Sequence, residues 1–202
     1  MTISTAKAIQ QHVLRVNQGE PFTNKRLLKL GSRASVDKAL SRLVKEGSIE
    51  RITRGVFVRP KESPFIGKMM PDVSKVVEVM AKDHGETVQV HGAEAARQFK
   101  LSTQVPTIPV FHTSGPSREL KIGKLNVVLK HTSHRKLLLA GKRAGLALSA
   151  LWYLGKENVN TKTLNTIQAG LSVKEFETLK NTDMPIWMNS AFEKYSKEAR
   201  YA

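Results

Sequence analysis

The sequence contains no cysteine. Disulfides, thiol nucleophiles and cysteine-based zinc sites are therefore excluded together. No apolar run approaches the ~20 residues that a membrane-spanning helix needs. The opening residues, MTISTAKAIQQHV, turn polar at the second position and lack the apolar stretch of a signal peptide. A cytoplasmic protein without membrane contact is the expectation. Internal repeats and low-complexity segments are also missing. So are the familiar catalytic signatures, since neither H-E-x-x-H nor G-x-S-x-G occurs. LAGKRAG offers Gly-Lys without the earlier glycine or the Ser/Thr of a phosphate-binding loop. No cofactor, no metal and no enzymatic activity are expected. The histidines are His12, His84, His91, His112, His131 and His134. The pair in HTSH has no carboxylates around it and reads as an extension of a basic surface beside Arg135 and Lys136.

Acidic residues are the other scarcity: 17 Asp and Glu face 33 Lys and Arg, for a net charge of +16. So cationic a chain repels itself and attracts polyanions, which makes nucleic acid the first partner to consider. The excess is uneven. Residues 1–60 hold 12 basic and 4 acidic side chains, and the remaining 142 hold 21 and 13. The same surplus is thus packed into less than half the length. Hydrophobic residues make up 40%, enough to bury a core. Pro64, Gly67 and Pro71 interrupt any periodic pattern, so the expected division is a domain over 1–60, a linker over 61–72 and a second domain over 73–202.

Within the first domain, Ala6, Ile9, Val13 and Val16 recur at helical spacing. A second helix is expected from FTNKRLLKLG, with Thr23 as N-cap, Phe22 and Leu27 as a hydrophobic staple, and Gly31 in the left-handed terminating position. Ser32 can cap a third helix almost at once. Val36, Leu40, Leu43 and Val44 form its buried stripe, and Gly47 ends it. SIERIT and VFVRP then read as a hairpin turning at Arg54-Gly55, anchored by Ile49, Ile52, Val56 and Val58. Helix, helix, tight turn, helix and ribbon is the order of a winged helix-turn-helix. In that geometry the last helix enters the major groove. With its stripe inward, Ser35, Lys38, Ser41, Arg42 and Lys45 face outward, and Arg33 sits in the first turn. Arg54 is expected at DNA backbone or minor groove, and Arg51 and Arg59 at phosphate or solvent.

Residues 73–202 read as α+β. VVEVMAKDHG and AEAARQF are expected helices, and ETVQVH, IPVFHT, RELKI and KLNVVLKH expected strands, the last two joined at Gly123. Helices follow at AGKRAGLALSALWYL, where Ala140, Ala144, Ala147, Leu148 and Leu151 share a face, and after a capping box formed by Ser172 and Glu175. Pro185 suits the first position of the last helix, with Met188, Phe192 and Tyr195 inward; Trp187 is placed at the surface. The expected fold class is α+β: a winged helix-turn-helix followed by a mixed domain with a small, mainly antiparallel sheet and several C-terminal helices. Arg118, Lys121, Lys124, Lys130, Arg135 and Lys136 form a candidate second basic surface.

The run GSRASVDKALSRLVKEGSIERITRGVFVRP resembles the AbiEi family of antitoxins from abortive-infection, type IV toxin–antitoxin operons. The likeness rests on G-S-R-x-x-V-D-K-A-L-x-R-L followed by I-x-R-x-x-R-G-V-[FY]. It continues more weakly through HGAEAARQF to MPIWM. The resemblance implies a repressor that binds inverted repeats in double-stranded DNA upstream of its own operon. It also implies a C-terminal antitoxin domain opposing a nucleotidyltransferase-type toxin without a stable complex. By the same likeness, DNA contacts fall on Arg33, Ser35, Lys38, Arg42, Arg51, Arg54 and Gly55. An RNA- or protein-binding module using the same scaffold is the alternative.

Overall fold

The computed structural model describes residues 4–65 and 67–198, and the chain divides into two compact units. The first comprises residues 1–86 with 120–126; the second comprises 87–119 and 127–202. The fold is α+β, and among the described residues no helix is long and apolar enough to cross a membrane.

Helix α1 (Thr5–Arg15) is capped by Ser4, whose hydroxyl accepts from the Lys7 amide, and buries Ile9 and Val13. Strand β1 (Pro21–Thr23) follows, then a 3₁₀ turn over Lys25–Leu30. The expected α-helix starting at Thr23 is not formed. Pro21, Phe22 and Thr23 are all buried and pair with a later strand, so Thr23 is committed to a sheet. Only six residues then remain before Gly31, and they close the tighter helix around Leu27. Gly31 does not adopt the left-handed conformation either: its φ of 167° is extended. What demands glycine there is clearance, because a Cβ would stand 2.5 Å from Thr5 Cγ2 at the start of α1.

Helix α2 (Arg33–Lys45) is capped by Ser32 and buries Val36, Ala39, Leu40 and Leu43. Its end carries both hydrogen bonds of a Schellman motif. The Gly47 amide donates to Val44 O at 3.1 Å, and the Ser48 amide to Leu43 O at 3.0 Å. Gly47 has φ 73°, the left-handed value that motif requires. Strands β2 (Glu50–Thr53) and β3 (Val56–Val58) complete an antiparallel sheet in the order β1-β3-β2. Ile9, Val13, Phe22, Leu27, Val36, Leu40, Leu43, Ile49 and Phe57 make one core.

The segment read as a linker is folded. Residues Lys61–Ser63 and Gly67–Met69 pair as an antiparallel hairpin, β4 and β5, and helix α3 (Val73–His84) belongs to the first unit. The reason lies in α3, which buries Val76, Val77, Met80 and Ala81 and packs beside β1. A Lys75–Glu20 ion pair at 2.6 Å and a Lys25 hydrogen bond to Asp83 O fasten it. Pro64, Gly67 and Pro71 therefore turn a hairpin and start a helix instead of separating two bodies.

The second unit opens with β6 (Val88–Val90) and α4 (Gly92–Gln98) and continues with β7 (Val110–Thr113) and with β8 (Arg118–Ile122) and β9 (Leu125–His131), except for their shared tip over 120–126, which groups with the first unit. The sheet order is β6-β7-β9-β8, antiparallel at β6/β7 but parallel at β7/β9. It is thus mixed: β8 runs out along the edge, so β9 returns in the direction of β7. Helices α5 (Arg143–Leu154), α6 (Thr161–Ala169), α7 (Val173–Lys180) and α8 (Ile186–Glu198) enclose the core. The capping box of Ser172 and Glu175 is formed, and Met188, Phe192 and Tyr195 are buried. Ala140 lies before α5 begins. Trp187 is half-buried, edge-on to Trp152 at 6.4 Å, so it packs against the core instead of standing on the surface.

Helices α4 and α5 approach closely because Gly92 presents no side chain to Ser149 and Tyr153 of α5. A Cβ on Gly92 would lie 2.5 Å from Ser149 O and 2.4 Å from Tyr153 Cβ. Helix α5 also closes the open edge of β6. Ser149 Oγ donates to Val90 O at 2.8 Å, while Gln89 Oε1 accepts the Val90 amide at 3.1 Å.

Candidate nucleic-acid interface

The basic residues of the first unit are sorted by what the hydrophobic stripe of α2 leaves outside. With Val36, Ala39, Leu40 and Leu43 turned inward, Arg33, Ser35, Lys38, Ser41, Arg42 and Lys45 are all exposed. Arg51 and Arg54 are exposed on the ribbon. Lys38, Arg42, Lys45, Arg51 and Arg54 engage no side-chain partner among the described residues, so these five cations face solvent uncommitted.

Other side chains here already have partners. Arg33 Nε contacts Asp37 Oδ2 at 3.1 Å, one helical turn on. With both groups more than half exposed, that pair is worth ~0–1 kcal/mol and can exchange for another acceptor. The Ser35 hydroxyl lies 2.9 Å from Ser32 Oγ and so shares in the cap of α2. Arg59, read from sequence as facing phosphate or solvent, turns inward. Its Nη1 donates to Leu14 O at 2.9 Å and Val16 O at 2.8 Å, satisfying carbonyls at the end of α1. It is half-buried and structural.

The ribbon turns through Arg54 and Gly55 alone, since Thr53 pairs with Val56. Gly55 takes φ 77° while Arg54 stays out of the left-handed region, which leaves the arginine side chain at the tip. A register shift between Arg51 and Thr53 bulges the strand at Ile52. The tip is tethered: the Asn24 amide donates to Gly55 O at 3.0 Å, and Asn24 Nδ2 reaches Asp37 Oδ1 at 3.3 Å. Ribbon tip, 3₁₀ turn and α2 are therefore linked through one asparagine.

The residues of the candidate second basic surface divide between the two units. Lys121 and Lys124 lie in the tip of the β8–β9 hairpin, which groups with the first unit; there the Gly123 amide donates to the bulged Ile52 O at 3.2 Å. Arg118, Lys130, Arg135 and Lys136 lie in the second unit. Arg118 donates to Pro116 O, Arg135 pairs with Asp183 at 3.0 Å, and Lys136 lies over the Trp152 ring at 5.2 Å. His131 faces Gly115 O at 2.9 Å through Nδ1, a local tie within the hairpin.

The sequence reading passed over Arg15, Arg26 and Lys29. Burial first, and then the charges of Lys29, Arg15 and Arg26, hold the His12 imidazole below its usual pKa. That marks a second concentration of positive charge along α1 and the 3₁₀ turn. For Arg26 and Lys29 the signal is present in KRLLK, whose charges the reading of that segment by its cap, staple and terminator leaves unused. Among the described residues no group of three or more histidines and carboxylates could hold a metal ion.

An uncommitted cationic helix face beside a tethered arginine ribbon defines the first unit as a candidate binder of phosphate backbones. The chain belongs to DUF6088, a family of unknown function, whose match covers residues 8–179 and so takes in parts of both units. No curated protein matches the sequence.

Proposed function

We propose that the first unit is a winged helix-turn-helix that binds double-stranded DNA, and that the protein is a transcriptional repressor acting on its own operon. One observation carries this reading. The exposed side of α2 and the ribbon that directly follows it together present five cations, three on the helix and two on the ribbon, that no side chain among the described residues neutralises. Helix α2 would lie in the major groove, where Lys38 and Arg42 suit guanine O6 and N7 and Ser41 suits phosphate or base. Arg33 would exchange Asp37 for a DNA acceptor near the helix start. Arg54 would reach backbone or minor groove from the ribbon tip, and Arg51 and Lys45 would contact phosphate. Asn24 would keep ribbon and helix in register on the duplex. Through the AbiEi resemblance, the second unit is proposed as an antitoxin domain opposing a nucleotidyltransferase-type toxin without a lasting complex.

Titration of the full chain against duplex DNA from upstream of its own gene, beside scrambled duplex of equal length, tests the repressor reading. A preference of at least about a thousandfold is expected of a specific binder. Equal affinities would overturn operator recognition, and tighter binding to structured RNA would favour the RNA-binding alternative. Co-expression with the product of any adjacent nucleotidyltransferase gene tests the antitoxin role separately. Growth arrest that this protein does not relieve would remove it.

A further inference from the structure

We propose that the second unit carries a phosphate-binding site built from His91, His112, Lys130 and Lys136. This goes beyond DNA binding and uses none of the residues assigned to it.

Strand register creates the site. Gln89 pairs with His112 across β6 and β7, and His112 pairs with Lys130 across β7 and β9. Directly paired residues share a face, so His112 and Lys130 project together, and His91 follows Gln89 by two positions onto that side. The two imidazoles meet with ring centroids 4.8 Å apart at 61°. His91 Nδ1 accepts the Ala93 amide at 3.3 Å, which leaves its proton on Nε2 as a free donor. His112 Nδ1 is buried with no protein partner. Lys136 lies over the Trp152 ring, and Trp152 Nε1 is likewise buried without a protein partner. Tyr153 stands edge-on to His91 at 6.1 Å and is 42% exposed.

The charge balance points to an anion. Burial first and then positive neighbours hold both imidazoles below their usual pKa, His112 at about 4, and the neighbours in each case include Lys130 and Lys136. Two neutral imidazoles thus sit in the field of two ammonium groups, and among the described residues no ion pair engages either lysine. A water molecule would satisfy one buried N–H, but it would bring no negative charge to the lysines. A phosphate group accepts from both imidazoles and neutralises both lysines, and exposed Tyr153 offers a ring beside it for a base. The matching ligands are free phosphate and the phosphate of a small nucleotide.

Histidine-selective nitrogen NMR on the full chain in phosphate-free buffer tests this, with inorganic phosphate and adenosine 5′-monophosphate as separate probes. Saturable shifts of the His91 and His112 resonances are expected, with the His112 pKa rising on binding. Lys130→Gln and Lys136→Gln should each weaken binding about tenfold or more, the usual loss for a charge-assisted contact. Arg135→Gln, whose guanidinium pairs with Asp183, should leave it unchanged. Affinity at least tenfold higher for the nucleotide assigns a nucleotide site, and equal affinity assigns free phosphate. Imidazole resonances that stay still at saturating probe, or an equal loss from Arg135→Gln, would overturn the site.

Discussion

Arg54 and Arg59 stand on the same short ribbon and would be ranked alike by charge, yet their surroundings give them opposite tasks. Arg54 is exposed at the turn without a partner, whereas Arg59 is half-buried with two backbone carbonyls on one guanidinium nitrogen. Arg54→Ala is therefore expected to reduce DNA affinity while the thermal midpoint stays put. Arg59→Ala removes hydrogen bonds from a charged donor, typically ~1.5–3 kcal/mol, and should lower the midpoint first. Thermal unfolding beside a DNA titration separates the two; equal loss of stability and binding in Arg54→Ala would make the ribbon a purely structural hairpin. A second contrast concerns pH. Burial first, and then the charges of His91, Lys136 and Lys130, push the His112 imidazole down from its ordinary value of about 6.5 to about 4 in the folded protein. Protonation therefore favours the unfolded chain. The stabilising contribution of the neutral form is complete above about pH 6.5 and is lost as pH falls towards 4. Urea unfolding across that window in phosphate-free buffer should show falling stability, and His112→Gln should flatten the slope. An unchanged slope would mean that the imidazole is as solvated in the folded protein as in the unfolded one.

At the level of elements, what packing requires departs from what propensity suggests. Gly92 opens helix α4, where alanine would ordinarily gain up to ~1 kcal/mol of helix propensity. The contacts of a Cβ with Ser149 O and Tyr153 Cβ reverse that sign, so Gly92→Ala should destabilise the second unit by about 1–3 kcal/mol, the usual cost of overpacking. Gly47 is the complementary case: nothing lies within 4 Å of its Cβ position, and only φ 73° opposes substitution. Gly47→Ala should cost about 1–2 kcal/mol through backbone conformation alone. Chemical denaturation of both variants checks the pair, and a stabilised Gly92→Ala would mean that α4 and α5 can separate freely. The same distinction explains what was legible beforehand. Helix α2 could be read because a stripe of four apolar positions fixes its own outward face, and the Ser172–Glu175 capping box is local. Strand β1 could not: its three residues are all buried and show no alternation. The parallel pairing of β7 with β9 and the carbonyl acceptors of Arg59 were hidden for another reason. Each joins positions far apart in sequence, where periodicity carries no information.

Across the whole molecule the net charge of +16 does not separate cations that bind from cations that merely repel one another, but the structure divides them by their partners. Five side chains in the first unit, Lys38, Arg42, Lys45, Arg51 and Arg54, have no partner among the described residues and lie on one helix and its ribbon. In the second unit Arg135 is already paired with Asp183. If all five meet phosphate in one bound chain, log affinity should fall by about 4.5 per tenfold rise in salt, at ~0.9 per neutralised phosphate. A base-reading residue among them makes the slope shallower. Replacing Lys45 or Arg51 with alanine should then reduce the slope by about 0.9 and weaken all sequences alike. Replacing Arg42 should instead cost about 1–3 kcal/mol on the preferred sequence and little elsewhere. Lys121 and Lys124 supply the arm that decides how far the surface extends, because the hairpin tip between them bonds the ribbon at Ile52 O. A double Lys121→Ala, Lys124→Ala variant that lowers the slope further extends the phosphate track from ribbon to hairpin. One that leaves the slope intact confines DNA to α2 and the ribbon.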